Sequence, residues 1–440
     1  MWKMLGLLLI CALLSPSQGK TPAIRSIYNR AATHNIMLSG TLHDGLLQNL
    51  LKERIVLPDI NIGGLLGPGG KISGIKIASV QLTGYSLVFR PEINGGDVIA
   101  DIKLEITGNA LLGASSLIKI SLELKSKVTA GLANFSEGTY DVIIHGCDCQ
   151  FGAIDISILR SSLPASVLST IRESITSNID RQICPVMTVV LNGVKQLVLA
   201  TINVDLPFGS YGTLKYQLAE LPTITDTFVE FDISADFELA EGGLLSIPND
   251  TVFINLPSIQ SYSYFQSLHP AFLNMVMSVI GNMEPQEFNC TLDAGSTIKW
   301  KVLYLKLLHL HGHLVNAAND KAVAQVAVQT EVFSNNGNES SSPILIMRDS
   351  MNLTTAFSVL DGRLALALSM DSQDQQLDSS SVGISKGPSF VPHCNSLLEE
   401  RILSLLNGRL RDGIPVPSIL GTGWVNASAS VVEGALVLCV

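Results

Sequence analysis

"DIKLEIT", Asp101 to Thr107, alternates without a break: Ile102, Leu104 and Ile106 point one way, and Asp101, Lys103, Glu105 and Thr107 the other. A side-chain period of two belongs to a β-strand, and one apolar face backed by one wetted face belongs to antiparallel sheets. "IKISLELK" (Ile118 to Lys125) repeats the pattern, with Ile118, Ile120, Leu122 and Leu124 opposite Lys119, Ser121, Glu123 and Lys125. The same alternation returns at Val229 to Leu239, Ile298 to Leu314 and Leu364 to Met370, so strands are expected in both halves of the chain.

Three stretches change to the helical period. Leu42, Leu46, Leu47, Leu50 and Leu51 make one helical face that ends before "IVLPDI". Leu168, Ile171, Ile175 and Ile179 make a second stripe, with Pro164 near its first turn, where a missing N–H costs nothing. Leu398, Ile402, Leu405, Leu406 and Leu410 make a third, opened by a capping box of Ser396 and Glu399. The first and last helices are each followed by an extended, proline-bearing segment, "IVLPDI" and "DGIPVPSI", a weak internal echo of duplication. The proline- and threonine-rich "AELPTITDT" (Ala219 to Thr227) reads as the boundary. "NNGNESSS" (Asn335 to Ser342) and "DSQDQQLDSSS" (Asp371 to Ser381) read as exposed loop tips.

Residues 1–19 combine a basic Lys3, an apolar Leu5 to Leu14 and a small-x-small site at Ser17 and Gly19, the layout of a secretory signal peptide. The apolar run is too short to span a bilayer, and no later segment supplies an uninterrupted span, so the chain is expected to be secreted and not transmembrane. Cys11 leaves with the leader. Cys147, Cys149, Cys184, Cys290, Cys394 and Cys439 remain, an even set that export biases toward disulfides over metal sites. Sequons at Asn134, Asn249, Asn338, Asn352 and Asn426 add candidate glycosylation sites, with Asn289 weakened by Cys290 in its middle position.

With 28 basic against 38 acidic side chains, the chain carries a net charge of −10, which argues against nucleic acid and against unaided attraction to anionic headgroups. Charged residues make up only 15% while hydrophobic residues reach 47%. Such a chain must hide an unusual amount of aliphatic surface, in its own core or against a greasy ligand. Its length exceeds what one core usually organises, which favours two domains.

"IVLPDINIGGLLGPGGKISGIKI", then "GNALLG", then "CDCQFGAIDISILRSSLP", then "ICPVMTVVLNGVKQLV" resemble the N-terminal half of BPI fold-containing family B proteins, the long PLUNC proteins of the BPI/LBP superfamily. "LNGRLRDGIPVPSI" resembles the helix-to-strand segment closing the second domain of that superfamily. The resemblance implies an α+β fold of two tandem BPI-type domains, residues 20–220 and 221–440. Each would be a twisted antiparallel barrel holding long helices, joined in a boomerang by a central sheet over about residues 216–245. It also implies a disulfide from the "CDCQFG" strand to the end of the following helix, assigned to Cys149 and Cys184. Cys147, Cys290, Cys394 and Cys439 stay unassigned, with Cys290–Cys394 and Cys147–Cys439 as alternatives.

Three motifs invite catalytic or metal readings. Gly383 to Gly387 satisfies G-x-S-x-G around Ser385, but a serine-rich loop precedes it and Pro388 follows, so the strand-to-helix turn that a nucleophile needs is missing. His309, His311 and His313 share one face of a strand about 7 Å apart, too far for one tetrahedral zinc. "GGLLGPGGKISG" places Ile72 after Lys71 where a phosphate loop needs Ser or Thr, and reads as a loop at a barrel tip.

The expected function is therefore a secreted, non-enzymatic binder of phospholipid or another hydrophobic small molecule, needing no cofactor, with mucosal innate defence as its implied setting. Acyl methylenes would bury against Ile102, Leu104 and Ile106 on the strand and Leu168, Ile171, Ile175 and Ile179 on the helix, residues that ordinary core packing would equally explain. The alternative is recognition of lipopolysaccharide or a protein partner at the surface, with internal lipid only structural. "LLKERIVL" dilutes Lys52 and Arg54 with Glu53, so a strongly cationic tip is lacking.

Overall fold

The structure is a computed structural model and describes residues 20–62, 70–111, 115–158, 163–248, 263–281, 286–291, 297–312, 322–334, 343–381, 392–419, 427–432 and 435–439. The leader, the loop 63–69, the Ser385 motif, His313, the tip 335–342 and the sequons at Asn249, Asn338 and Asn426 lie outside the described residues.

The described chain opens with β1 (Ile24–Asn29), which runs into α1 (Arg30–Leu42) and α2 (Leu46–Arg54). Asn29 caps α1, its side chain accepting the Ala32 N–H at 2.9 Å. The leucine face expected from one helix is divided, because Asp44 and Gly45 take φ of 48° and 72° and turn the chain. Leu47 and Leu51 are buried while Leu42 is left 40% exposed.

A short β2 (Ile60–Asn61) leads into β3 (Lys71–Arg90), β4 (Gly95–Leu111), β5 (Ser115–Ser136) and β6 (Thr139–Ile158). These five pair antiparallel in chain order. Register sets Ile102 beside Leu82 and Leu124, Leu104 beside Val80 and Leu122, and Ile106 beside Ile77 and Ile120. One apolar face results, as the alternation requires. Across it lies α3 (Ala165–Ile202), 38 residues long, or about 57 Å.

Cys184 was expected at the end of that helix. The helix instead continues through Pro185 to Ile202, because the proline removes one backbone donor while Ile183, Val186 and Met187 around it are buried.

Next come β7 (Val204–Phe208), β8 (Gly212–Leu218), β9 (Thr223–Ile224), β10 (Phe228–Leu239), β11 (Leu244–Ser246) and β12 (Tyr264–Leu268). α4 (Pro270–Gly281) follows, then β13 (Gln286–Thr291), β14 (Thr297–Gly312), β15 (Ala322–Ser334), β16 (Leu345–Leu360) and β17 (Arg363–Ser380). α5 (Pro392–Leu410), β18 (Ile414–Pro415), β19 (Ser428–Val432) and β20 (Ala435–Cys439) complete the chain.

Strands β13 to β18 form a second antiparallel meander in chain order. A nine-stranded sheet ordered β19-β20-β12-β1-β10-β8-β7, with β9 and β11 also on β10, draws its strands from both ends of the chain. Neither meander closes on itself, since each ends in strands paired on one side only among the described residues. Helices cover the apolar face instead, α2 and α3 on the first meander and α4 and α5 on the second. The loop tip expected at Asp371 to Ser381 is mostly strand, as β17 continues to Ser380 in register with β16.

Two large cores result. One packs the first meander against α2 and most of α3. The other joins the central sheet, α4, α5, the second meander and the C-terminal end of α3.

Candidate functional site

A cavity of about 130 Å³ lies where the first meander meets the central sheet. Its walls follow from the two periods read in the sequence. Strand residues contribute in i, i+2 pairs: Leu87 and Phe89, Gly96 and Val98, Ala130 and Leu132, Tyr140 and Val142. Pairing sets Phe89 beside Gly96, Gly96 beside Ala130, and Leu132 beside Val142, so the pairs stand abreast. α3 contributes Leu191, Val194, Lys195 and Val198 at i, i+3, i+4 and i+7, one helical face. Ile36 and Met37 of α1 and Val229 and Phe231 of β10 close the remaining sides.

The cavity exists because small residues stand where large ones would fill it. Gly96 cannot be enlarged in place, since an added Cβ would lie 2.8 Å from the Val88 carbonyl oxygen. Tyr28, at the central-sheet wall, stacks on Tyr264 at 4.4 Å and meets Phe231 edge-on at 6.0 Å, which fixes that wall. Polar groups of the lining are few. The Thr33 hydroxyl donates to the Asn29 carbonyl at 2.9 Å, and the Lys195 ammonium donates to the Tyr140 carbonyl at 3.1 Å. Burial pushes the Tyr140 phenol well up, so it remains neutral.

On the outer face of β4, immediately beside Gly96 and Val98, Asp97 is buried under Arg90 at 2.8 Å and Lys127 at 3.2 Å, with the Thr129 hydroxyl donating at 2.7 Å. Burial pushes its carboxyl up, and these partners more than offset the push, leaving it below its ordinary range. The cluster ties β3, β4 and β5 together at the cavity end of the meander. On the central sheet, Arg25 reaches Asp232 at 2.8 Å and Glu230 at 2.9 Å. A hydrogen bond with Asp232, aided by burial, pushes the neighbouring Glu220 up to about 7.

The seven residues proposed from sequence as ligand walls fall elsewhere. Ile102, Leu104, Ile106, Ile171, Ile175 and Ile179 meet face to face in the first core, none more than 2% exposed. Leu168 stands outside that row, half-buried, with Val167 in the inward position. None of the seven lines the cavity. The sequence signal for the lining of this cavity is the continuation of the helical row past Pro185 in "LNGVKQLV".

The disulfide joins Cys147 to Cys184, with Cα atoms 5.9 Å apart, and corrects the Cys149–Cys184 assignment. Cys147 and Cys149 are two residues apart on β6 and so share a face. Both pack toward the core that contains α3. Their spacing cannot say which one α3 meets; the docking of the helix selects Cys147. Cys149 is a free thiol pushed up to about 12 by burial and by Asp180 and Asp148, and is therefore inert. Cys439 is free and buried, which removes the Cys147–Cys439 alternative. The side chains of Cys290 and Cys394 lie outside those described. So do those of His309 and His311, whose backbone is in β14.

Of the sequons, Asn134 is exposed beside the β5–β6 turn with φ of 53°. Asn352 is half-buried in β16, between β15 and β17, and donates to the Ser372 hydroxyl at 2.9 Å.

Residues 42–194 match the N-terminal domain of the LBP / BPI / CETP family. BPI fold-containing family B member 3 of Mus musculus is 23% identical over 391 residues, 84% of this chain and 81% of that protein. Member 4 of Homo sapiens is 24% identical over 409 residues, 86% of this chain and 65% of that protein. Among solved structures, lipopolysaccharide binding protein superposes over 95% of this chain and 98% of its own, with a TM-score of 0.59 at 15% identity, a likeness of fold.

Proposed function

The chain belongs to the BPI/LBP/PLUNC superfamily, and from that premise we propose that it is a secreted, non-enzymatic protein that binds a lipid or similar hydrophobic molecule in the cavity beside the C-terminal half of α3. The observation that carries this reading is the cavity itself: an almost wholly apolar space bounded by nine elements, with Gly96 and Ala130 as the small residues of its wall. Burying methylenes there gains about 0.8 kcal/mol each. The packed row of Ile102, Leu104, Ile106 and Ile171 to Ile179 acts as framework in this reading, fixing where α3 lies.

The cavity compares with the roughly 150 Å³ apolar cavity that admits benzene. As it stands it accepts a stretch of one acyl chain. Rotation of half-buried Met37, Leu132 and Val142 would lengthen it. The name of one similar structure, lipopolysaccharide binding protein, supports an acylated amphiphile as the ligand class, and export and mucosal defence belong to the same proposal. The proposed division near residue 220 would place the cavity in the N-terminal domain, against the central sheet.

Organic extraction of the purified protein followed by lipid mass spectrometry tests the reading. Near-stoichiometric co-purified lipid is expected. An empty protein that refuses added acyl chains yet binds lipopolysaccharide would overturn it in favour of surface recognition.

A further inference from the structure

α3 presents an aliphatic row to its surroundings from Val167 to Ile202. At the cavity one lining position of that helix is cationic. Lys195 stands one turn from Leu191 and beside Val194 and Val198, and it is half-buried. No acidic residue lines the cavity. The only polar partner of the Lys195 ammonium among the described residues is the Tyr140 carbonyl oxygen, at 3.1 Å.

Some half-buried cations among the described residues are matched with acids, whereas Arg363 and Arg409, like Lys195, donate to backbone carbonyls. Arg25 has Asp232 and Glu230, and Arg90 and Lys127 share Asp97. An ammonium against an apolar wall without a counter-ion is costly, and one neutral carbonyl fills only one of its three donors. An oxyanion brought by a ligand would complete the set with charge-assisted hydrogen bonds.

We infer that Lys195 anchors the head of the ligand, and that the cavity takes a single acyl chain ending in an oxyanion, either a carboxylate or a phosphate. This rests on the cavity being the binding site. The volume of about 130 Å³, close to that of the apolar cavity that admits benzene, holds a short stretch of one chain and is too small for two chains side by side. The lining from Leu191 to Val198 extends about 10 Å along the helix, so the chain runs beside α3 with its head at Lys195. Lys195 is thus a specificity-determining residue, and its aliphatic stem remains part of the wall.

The test uses the full chain and displacement of a fluorescent fatty acyl probe by palmitate, by a monoacyl phosphate and by hexadecanol. Wild-type protein should prefer the two anions, with hexadecanol at least tenfold weaker. Lys195→Met keeps the stem and should weaken both anions about tenfold, leaving hexadecanol within about twofold. Lys195→Arg should restore the anions, which separates charge from packing. Preference for palmitate alone assigns the carboxylate, and for the monoacyl phosphate alone the phosphate. Equal binding of hexadecanol and the anions by wild type, or no loss in Lys195→Met, overturns the role of Lys195 while leaving the cavity in place. If none of the three displaces the probe and the probe itself does not bind, the cavity reading fails along with it.

Discussion

The two meanders fill their troughs differently. The first meets α3 with an unbroken aliphatic face and a disulfide, and leaves an apolar cavity beside Gly96 and Ala130. The second buries Thr330, Asp349 and Thr355 completely, and the Asp349 carboxylate lies between Met347 and Met351 on the inward face of β16. Burial is the main force pushing Asp349 up, to about 6; Glu399 of α5 adds to it, while Gln375, Gln373 and Thr330 oppose it. Similar strand patterns therefore enclose an inert, covalently tied interior in one case and a titratable one in the other. An apolar ligand suits the first.

Removing the disulfide should have the largest effect. Cys147→Ser or Cys184→Ser frees a loop with a sequence separation of 37, which the chain-entropy relation values at about 4 kcal/mol. Cys149→Ser should change urea-unfolding stability little, and a large loss there would reverse the assignment of the bridge.

Truncation within the first core comes next. Ile175→Ala should cost about 3 kcal/mol, while Leu168→Ala, half-buried, should cost under about 1 kcal/mol. Ligand affinity should be retained in both. Equal costs would mean that Leu168 shares the buried row after all.

The second interior should reveal itself through pH. A carboxyl whose folded pKa lies above its ordinary 3.8 binds its proton more tightly in the folded state. Its contribution is complete below that value and is lost as pH rises through about 6. Asp349→Asn should abolish that decline, on the order of 2 kcal/mol, in unfolding curves taken between pH 4 and 7. A decline that survives the substitution would remove Asp349 from the contrast.

Smaller still is the effect of Glu220, exposed at the central sheet, whose window runs from its ordinary 4.5 to about 7 with the same sign. Glu220→Gln should flatten a shallow loss of melting temperature across that window. No change would show that its contact with Asp232 is not kept in solution.

Much of this fold was legible because alternation and helical stripes are local signals. β4 and β5 fell where Ile102 to Ile106 and Ile118 to Leu124 placed them. α4 was missed although Phe272, Leu273, Val276, Met277 and Ile280 recur at helical spacing; Met275 and Val279 are buried as well, so apolar residues cover most of its circumference and blur the stripe. The length of α3 was hidden by Pro185, a local stop signal that burial on either side overrides. The cavity was least legible of all. It is space left between residues from nine elements, and the fully packed stripe of Ile171 to Ile179 carries the same sequence pattern as a wall that faces a ligand. Lys195 was the one visible departure, a cation within an apolar helical row.

Photolysis of the protein with a palmitate bearing a diazirine a few methylenes from its carboxyl end, followed by peptide mapping, bears most directly on where the acyl chain lies. Label on peptides containing Leu132 to Val142 and Leu191 to Val198 is expected. Label confined to Ile102 to Ile106 and Leu168 to Ile179, or absent from the first meander altogether, would refute the cavity as the ligand site.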